Sequence, residues 1–192
     1  MTNLVDRYLL YRIRAHQDSQ AFARIYDRYV ISIYRFVLLK LPSKEDAEDL
    51  TSDTFLKCWR YVQEHRAIGD IRALLYQIAR NAVIDWYRQR AANPSRTLAV
   101  TFQASETSSF ASGDPSDAGQ SKAVIEARAD LALIMGKLER LKDEYRDVIM
   151  LRLIDGLPFN IIGEILGKTT GNVRVVYHRA KKALDTIDAN NQ

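Results

Sequence analysis

Residues 159–180 read FNIIGEILGKTTGNVRVVYHRA, and this stretch has the spacing of a helix-turn-helix. Such a motif needs a tiny residue where its two helices touch, and Gly163 occupies that position. It also needs a residue that tolerates a positive φ in the turn, and Gly167 follows four positions later. Val173, six residues further on, is apolar and can lock the second helix in place. The pattern predicts two short helices joined by a tight turn.

The outward face of the second predicted helix combines amide, imidazole and basic side chains. Residues near the N-terminus of such a helix reach base edges, and basic residues near its end reach phosphates. A plain helical hairpin with a solvated basic face is the alternative, but the joint pattern favours DNA binding. The candidate residues for duplex DNA are Asn172, Arg174, Val175, His178, Arg179, Lys181 and Lys182.

The rest of the chain also favours helices. Glycine (8) and proline (4) are scarce among the 192 residues, and no segment alternates with the period of two that strands show. Helical spacing predicts helices over residues 4–15, 19–41, a third after an N-cap at Ser43, 71–90, 122–140, 143–154, 159–166 and 170–187. We therefore expect an all-α fold.

A change in composition divides the chain into two helical domains. Residues 93–121 are dominated by Ser, Thr, Ala and small polar residues, and they lack the apolar density needed to fold. We expect a flexible linker there, between a first domain over 1–92 and a second domain over 122–192. The formal net charge of +4 is mildly basic, as in many proteins with a nucleic-acid partner.

Residues 45–53 read EDAEDLTSD and place several carboxylates on one predicted helix. Glu45, Asp49 and Asp53 lie along a single face, where like charges are mildly destabilising unless a basic partner covers them. The alternative is an ordinary solvated face whose acidic residues favour the helix N-terminus. The sequence has no Glu-x-x-His pair and no facing carboxylate helix, so we expect no metal and no cofactor.

The predicted helix over 71–90 has a different polar face. Its arginines and amides, interleaved with aromatic residues, suit single-stranded nucleic acid. We expect at least one of Trp86 and Tyr87 to pack in the core instead. The preceding loop over 64–70 has the polarity to hold an unstacked base, or it is an ordinary turn. The polar and aromatic residues of this helix are Gln77, Arg80, Asn81, Arg88, Arg90, Tyr76, Trp86 and Tyr87.

Other classes of protein are excluded by simple counts. The single cysteine, Cys58, rules out an internal disulfide and a multi-cysteine metal site. No apolar run approaches the roughly 18 residues of a membrane span. Asp6, Arg7 and Arg12 interrupt the apolar residues at the N-terminus, so no signal peptide is expected. We expect a cytoplasmic protein without membrane insertion.

Four stretches in this order resemble the extracytoplasmic-function (ECF) subfamily of bacterial sigma factors. They are residues 18–29, residues 45–59, residues 74–90 and the helix-turn-helix that ends in His178-Arg179-Ala180. The resemblance implies a transcription initiation factor, not an enzyme, that binds core RNA polymerase, directs it to promoters and helps open the −10 region. It also implies a cognate anti-sigma factor.

The resemblance assigns roles to individual residues. The clamp helices of the largest polymerase subunit would contact Asp46, Glu48, Asp49, Thr51, Asp53 and Trp59. The non-template strand of the −10 element would meet the 64–70 loop and the helix after it, at His65, Arg66, Arg80, Asn81, Asp85 and Arg88. The −35 duplex would meet the recognition helix, to which the resemblance adds Thr170.

Two other functions stay open from the residues alone. A stand-alone helix-turn-helix regulator would bind duplex DNA without polymerase, usually as a dimer on a palindrome. No obvious dimer helix supports that hypothesis, and it leaves the first domain unexplained. A helical metalloenzyme acting on nucleic acid through the 45–53 carboxylates is the third hypothesis, and it lacks a facing set of ligands.

Overall fold

The computed structural model describes residues 4–64, 68–92, 136–138 and 140–189, with side chains through Ile187. The described residues form helices and turns and contain no strand, which confirms the all-α prediction. The predicted linker over 93–121 and most of the predicted helix over 122–140 lie outside the described residues. Of that helix, residues 136–138 and 140 are described; residues 136–138 are helical, and residue 140 lies in a turn.

Four helices build the first domain. They are α1 (Leu4–His16), α2 (Ser19–Leu38), α3 (Lys44–Gln63) and α4 (Ile71–Ala92). The second domain contains α5 (Asp143–Ile149), a π-helical turn (Met150–Ile154), α6 (Phe159–Leu166) and α7 (Thr170–Ala189). The division into two helical domains agrees with the prediction, and the buried apolar residues of both form one connected cluster.

Short polar side chains fix where the helices of the first domain begin. The Asp18 carboxylate accepts a hydrogen bond from the Ala21 N–H at 3.0 Å and caps α2. The predicted N-cap Ser43 accepts from the Asp46 N–H at 3.1 Å and caps α3. These bonds satisfy backbone donors that have no partner inside the helix. The local sequence therefore sets both starts.

Aromatic and buried charged groups hold α1, α2 and α3 together. The Phe22 and Trp59 rings meet edge to face with centroids 4.9 Å apart, as aromatic pairs prefer. The fully buried Asp6 carboxylate of α1 accepts from the Tyr29 hydroxyl at 2.6 Å and from Arg28 at 3.1 Å. A buried carboxylate needs such partners, so Asp6 fixes how α1 lies on α2.

The second helix is shorter than predicted. We expected it to run to residue 41, but α2 ends at Leu38. The Leu39 N–H donates to the carbonyls of Arg35 and Val37, and the Lys40 N–H donates to Val37, which tightens the last turn. Pro42 disfavours helical backbone at the residue before it, so the chain leaves the helix early.

The predicted helix over 143–154 is also different from expectation. It is α-helical only to Ile149 and then π-helical over Met150–Ile154. The Asp155 N–H donates to the Met150 carbonyl at 3.0 Å, five residues earlier, in place of the usual four. The turn therefore accommodates one more residue than an α-helix would.

The helix-turn-helix forms as predicted. A Cβ added at Gly163 would lie 2.6 Å from the Lys168 carbonyl oxygen, so only glycine fits where the helices touch. Gly167 ends α6 with φ at 66°, a left-handed conformation that glycine adopts without strain. Val173 is fully buried and anchors α7 against α6. The structure thus confirms the role predicted for each of these three residues.

Candidate nucleic-acid and protein interfaces

The exposed face of α3 is acidic. Glu48, Asp49 and Asp53 are exposed along it, and Glu48 has only a loose ion pair with Lys44 at 3.8 Å. At the N-terminus of the helix, hydrogen bonds from its own backbone N–H and from the Ser43 hydroxyl hold the pKa of Glu45 below its usual value. The face therefore presents several carboxylates to solvent.

Two predicted contact residues of α3 point elsewhere. Thr51 is only 4% exposed, and its hydroxyl donates to the Ala47 carbonyl at 2.7 Å, so the prediction that it contacts a partner is corrected. Asp46 is half-buried and accepts from the Trp86 indole N–H and from Arg90, each at 3.3 Å. Asp46 therefore joins α3 to α4 within the domain.

The same face carries an apolar residue that sequence reasoning missed. Leu56 is 55% exposed and follows Asp53 by three residues, which places the two on one side of the helix. The predicted contact residue Trp59 is half-buried against Phe22. Helical spacing measured from Asp53 could have found Leu56. An exposed leucine beside carboxylates gives the face an apolar element as well as its charge.

The candidate −10 face of α4 is exposed only in its second half. Asn81, Asp85 and Arg88 are exposed, and Arg88 lies 3.7 Å from the Asp85 carboxylate. Arg80, the residue directly before Asn81, is half-buried. The predicted contacts His65 and Arg66 lie outside the described residues. The structure therefore places Asn81, Asp85 and Arg88 together in solvent, with Arg80 at the edge of the group.

The aromatic residues of α4 divide as expected between surface and core. Trp86 is half-buried against the core, and the Arg90 guanidinium lies 4.2 Å from its ring centroid. Tyr87 is 50% exposed, meets the Trp86 ring edge to face at 4.9 Å and donates its hydroxyl to the Lys40 carbonyl at 2.6 Å. Half of the Tyr87 side chain is thus open to solvent, and exposed aromatic rings are the groups on which unpaired bases stack.

The start of α4 is fixed by a buried ion pair that sequence reasoning missed. Asp70 is 3% exposed, accepts from the Arg72 N–H at 2.9 Å and binds the Arg72 guanidinium through both carboxylate oxygens. Burial acts to raise the pKa of Asp70, but the hydrogen bonds and charge of Arg72 outweigh it and hold the pKa below its usual value. This pair joins Asp70, directly before α4, to the first turn of the helix.

The outward face of α7 is open to solvent from Asn172 to Thr186. The Thr169 hydroxyl accepts from the Asn172 N–H at 3.3 Å at the start of the helix, and Val173 and Ala180 are buried on the opposite side. Thr170 is half-buried at the N-terminus. The exposed residues of the predicted duplex-binding set are Asn172, Arg174, Val175, His178, Arg179, Lys181 and Lys182.

The part of the chain that the structure describes offers neither a metal site nor a membrane span. Within it, no group of three or more His, Cys, Asp or Glu side chains is arranged to hold a metal ion. Within it, no helix is both long and apolar enough to cross a membrane.

Comparison with known proteins identifies the class. Residues 25–93 match the family described as sigma-70 region 2, and residues 131–184 match sigma-70 region 4. The chain is 30% identical over 167 residues to the ECF RNA polymerase sigma factor SigW of Bacillus subtilis, covering 87% of this chain and 88% of SigW. The ECF RNA polymerase sigma factor BldN of Streptomyces coelicolor is 30% identical over 168 residues, which is 87% of this chain and 60% of BldN.

A solved structure shares the fold. The sigma factor RpoE of Bartonella quintana, crystallised in complex with the anti-sigma factor NepR, superposes with a TM-score of 0.65 at 21% identity over 89% of this chain and 98% of that one. The two matched regions and the likeness to SigW define an RNA polymerase sigma factor. The chain belongs to the ECF family of these factors. It is a transcription initiation factor that directs RNA polymerase to promoters.

Proposed function

We propose that this sigma factor binds core RNA polymerase through the exposed face of α3 and contacts promoter DNA with α4 and α7. The observation that carries the proposal is the contrast between two open faces of opposite charge. Glu48, Asp49 and Asp53 leave α3 acidic, whereas the outward side of α7 is basic. An acidic surface suits a basic protein partner, and a basic helix after a helix-turn-helix suits the major groove.

The division of labour follows from which side chains are exposed. On α7, Asn172 and Arg174 lie near the N-terminus where base edges are reached, and Lys181 and Lys182 lie further along where phosphates are reached. On α4, the Tyr87 ring and the neighbouring Asn81 and Arg88 suit an unpaired strand. Each stacked base contributes about 1–3 kcal/mol, which helps hold the −10 region open.

The protein supplies recognition and strand capture in this proposal, and polymerase supplies the chemistry. We therefore class it as a factor without enzymatic activity that acts in the cytoplasm, where polymerase and the nucleoid are. We also propose that it has a cognate anti-sigma factor. The support for that partner is the sigma factor of the same fold that was crystallised with the anti-sigma factor NepR.

Charge reversal on α3 tests the polymerase contact. We compare the wild type with Asp49→Arg/Asp53→Arg and with the control Asp27→Arg/Asp185→Arg, which reverses two exposed carboxylates on other helices. Like charges brought together at an interface cost several kcal/mol, so the α3 variant should bind core polymerase roughly 100-fold more weakly. Binding is measured by fluorescence anisotropy, and run-off transcription reports promoter use.

The outcomes separate the possible functions. Polymerase binding lost only in the α3 variant supports both the function and the site. Equal weakening by the two double variants would keep the function and remove α3 as the contact. If the wild type binds duplex DNA tightly but does not bind polymerase, a stand-alone helix-turn-helix regulator becomes the better assignment.

A further inference from the structure

Two carboxylates of the second domain are seated on cations of the first domain. Asp155 pairs with Arg35 and accepts from the Tyr76 hydroxyl at 2.7 Å, and Asp147 pairs with Lys40. The partners lie 120 and 107 residues apart along the chain. The side chains of Arg35 and Lys40 are only 19% and 11% exposed, and the two carboxylates 4% and 9%. Both ion pairs are therefore largely shielded from water.

The cationic side of this contact is built entirely by the first domain. The Lys40 ammonium lies 4.9 Å from the centroid of the Phe36 ring, which in turn meets the Tyr76 ring edge to face at 5.2 Å. The Lys40 carbonyl accepts the Tyr87 hydroxyl of α4. Because these contacts do not involve the second domain, the position of Lys40 does not depend on Asp147.

Arg80 extends the same cationic group along α4. Burial raises the pKa of Asp147, while the charges of Lys40 and Arg80 act in the opposite direction. The Arg80 charge therefore acts on Asp147 from the first domain. Arg80 is also the half-buried member of the candidate −10 face, one residue before the exposed Asn81. The cations that hold the second domain thus lie next to the proposed strand-binding face of α4.

The second domain covers α4 elsewhere along the same junction. The Gln77 amide donates to the Glu164 carbonyl of α6 at 2.9 Å, and Arg146 donates to the Leu39 carbonyl at 2.9 Å. Phosphodiester oxygens accept charge-assisted hydrogen bonds from Arg and Lys much as carboxylate oxygens do. A DNA strand and the second domain can therefore use the same donors, but not at the same time.

On the basis of the α4 function proposed above, we propose that Arg35, Lys40 and Arg80 form an anion site for the phosphate backbone of the unpaired promoter strand. In the closed arrangement, Asp147 and Asp155 fill this site in place of phosphate. Separation of the domains exposes it. The strand then gains phosphate contacts beside the exposed polar residues of α4, and the closed arrangement competes with strand binding.

Two double variants that break the same two ion pairs test the site. Asp147→Asn/Asp155→Asn removes the carboxylates and leaves the cations, whereas Arg35→Gln/Lys40→Gln removes the cations. If the ion pairs only hold the two domains together, both variants should open the protein and raise its affinity for DNA. If the cations also bind phosphate, the carboxylate variant should raise the affinity and the cation variant should lower it. Exposed pairs provide controls of equal net charge change: Asp27→Asn/Asp185→Asn and Arg24→Gln/Lys57→Gln.

Two readouts are needed, both on the full chain. Dyes on Ser52→Cys and Thr186→Cys, exposed residues of α3 and α7, report the distance between the domains. Burial raises the pKa of the Cys58 thiol to about 12, so the native cysteine does not compete for the dye. The affinity of the unlabelled proteins for a mixed-sequence single-stranded DNA of about 20 nucleotides is measured by anisotropy over a range of salt concentrations.

We expect both ion-pair variants to lengthen the distance between the dyes. The carboxylate variant should bind the strand about tenfold more tightly than the wild type, and the cation variant about tenfold more weakly. Loss of two phosphate contacts should also reduce the slope of log affinity against log salt by about 1.4. The variant Arg35→Lys/Lys40→Arg keeps both cations and should keep wild-type affinity.

Several results would overturn the anion site. They are a rise in affinity for both variants, an equal effect of the exposed controls, or equal binding to a polyglutamate of matching charge.

If a double variant loses its helical circular dichroism, Arg80→Gln provides the test instead. An unchanged affinity and an unchanged salt slope for Arg80→Gln would also overturn the site. Run-off transcription by the wild type separates the anion site from the proposed function. If the wild type supports transcription but the anion-site test fails, only the anion site is removed. Absence of strand binding by every variant removes the α4 function, and the site with it.

Discussion

The two helices proposed to contact DNA differ in what already occupies them. The first half of α4 is engaged within the molecule: Tyr76 and Gln77 bond to the second domain, and Arg80 is half-buried. The outward side of α7 carries Arg174 and Arg179 in open solvent. The proposed duplex-binding face of α7 is therefore open along Asn172–Lys182, whereas the proposed strand-binding helix α4 is covered by the second domain in its first half and open in its second.

The largest effect is expected from a substitution that disrupts the packing of α7 against α6. Gly163→Ala places a Cβ 2.6 Å from the Lys168 carbonyl oxygen, and because that atom is backbone, the two helices must move apart. We expect a loss of about 3 kcal/mol in the free energy of unfolding, measured in urea. Gly171→Ala is the matched control, since its Cβ would meet nothing within 4 Å. Equal stability of the two variants would contradict the close contact.

A smaller effect is expected when α7 keeps its fold but loses charge. Arg174→Ala/Arg179→Ala should weaken binding to a −35 duplex by about 2–3 kcal/mol and lower the salt slope by about 2. Binding of single-stranded DNA should change much less, because α4 is untouched. The control Arg24→Ala/Lys57→Ala removes the same charge from exposed positions elsewhere. A similar loss of duplex binding in the control would show that only net charge matters.

The next prediction concerns the contact between α3 and α4, which holds α4 in place. Asp46→Ala removes the acceptor of the Trp86 indole and of Arg90. Two lost hydrogen bonds predict about 2 kcal/mol of destabilisation in urea and a change in Trp86 fluorescence, with duplex binding by α7 retained. Asp49→Ala, at an exposed position of the same helix, should be nearly neutral. The contact carries little energy if the two variants unfold alike.

The smallest expected effect depends on pH and concerns the start of α4. The pKa of Asp70 is lower in the folded protein than in the unfolded chain, because Arg72 contacts outweigh burial. Its contribution to stability is therefore complete above pH 4 and is lost as the pH falls through the folded pKa. Asp70→Asn should cost about 1 kcal/mol at pH 7 and progressively less in acid. A cost that does not change between pH 7 and pH 2 would contradict this sign.

Local signals in the sequence were sufficient for the motif and for the helix starts. Gly163, Gly167 and Val173 sit at fixed spacing within one motif, and the Ser43 cap acts within three residues, so each could be predicted from neighbours alone. The end of α2 and the π-helical turn could not. Apolar spacing is nearly the same in an α-helix and in a single π turn. It also does not mark at which residue before Pro42 the helix α2 ends.

The candidate sites show a second limit. The resemblance offered Thr51 as a surface contact, whereas the structure buries its side chain on the inner side of α3. The ion pairs of Arg35 and Lys40 join residues more than 100 positions apart. Nothing in the local pattern of either segment marks such a partner. Exposure and long-range pairing are therefore what the structure adds.

The π-helical turn makes the junction sensitive to chain length as well as to charge. One residue of an α-helix corresponds to a rotation of about 100° around the helix axis. Because the turn already holds one residue more than an α-helix would, deleting one of residues 151–154 would restore the usual helical bond to the Met150 carbonyl and keep Asp155 beside Arg35 and Tyr76. Inserting one further residue would instead rotate Asp155 away from them, although every charged residue would remain. A single-codon insertion in this turn is thus equivalent to removing the Asp155 carboxylate, whereas a single-codon deletion is not.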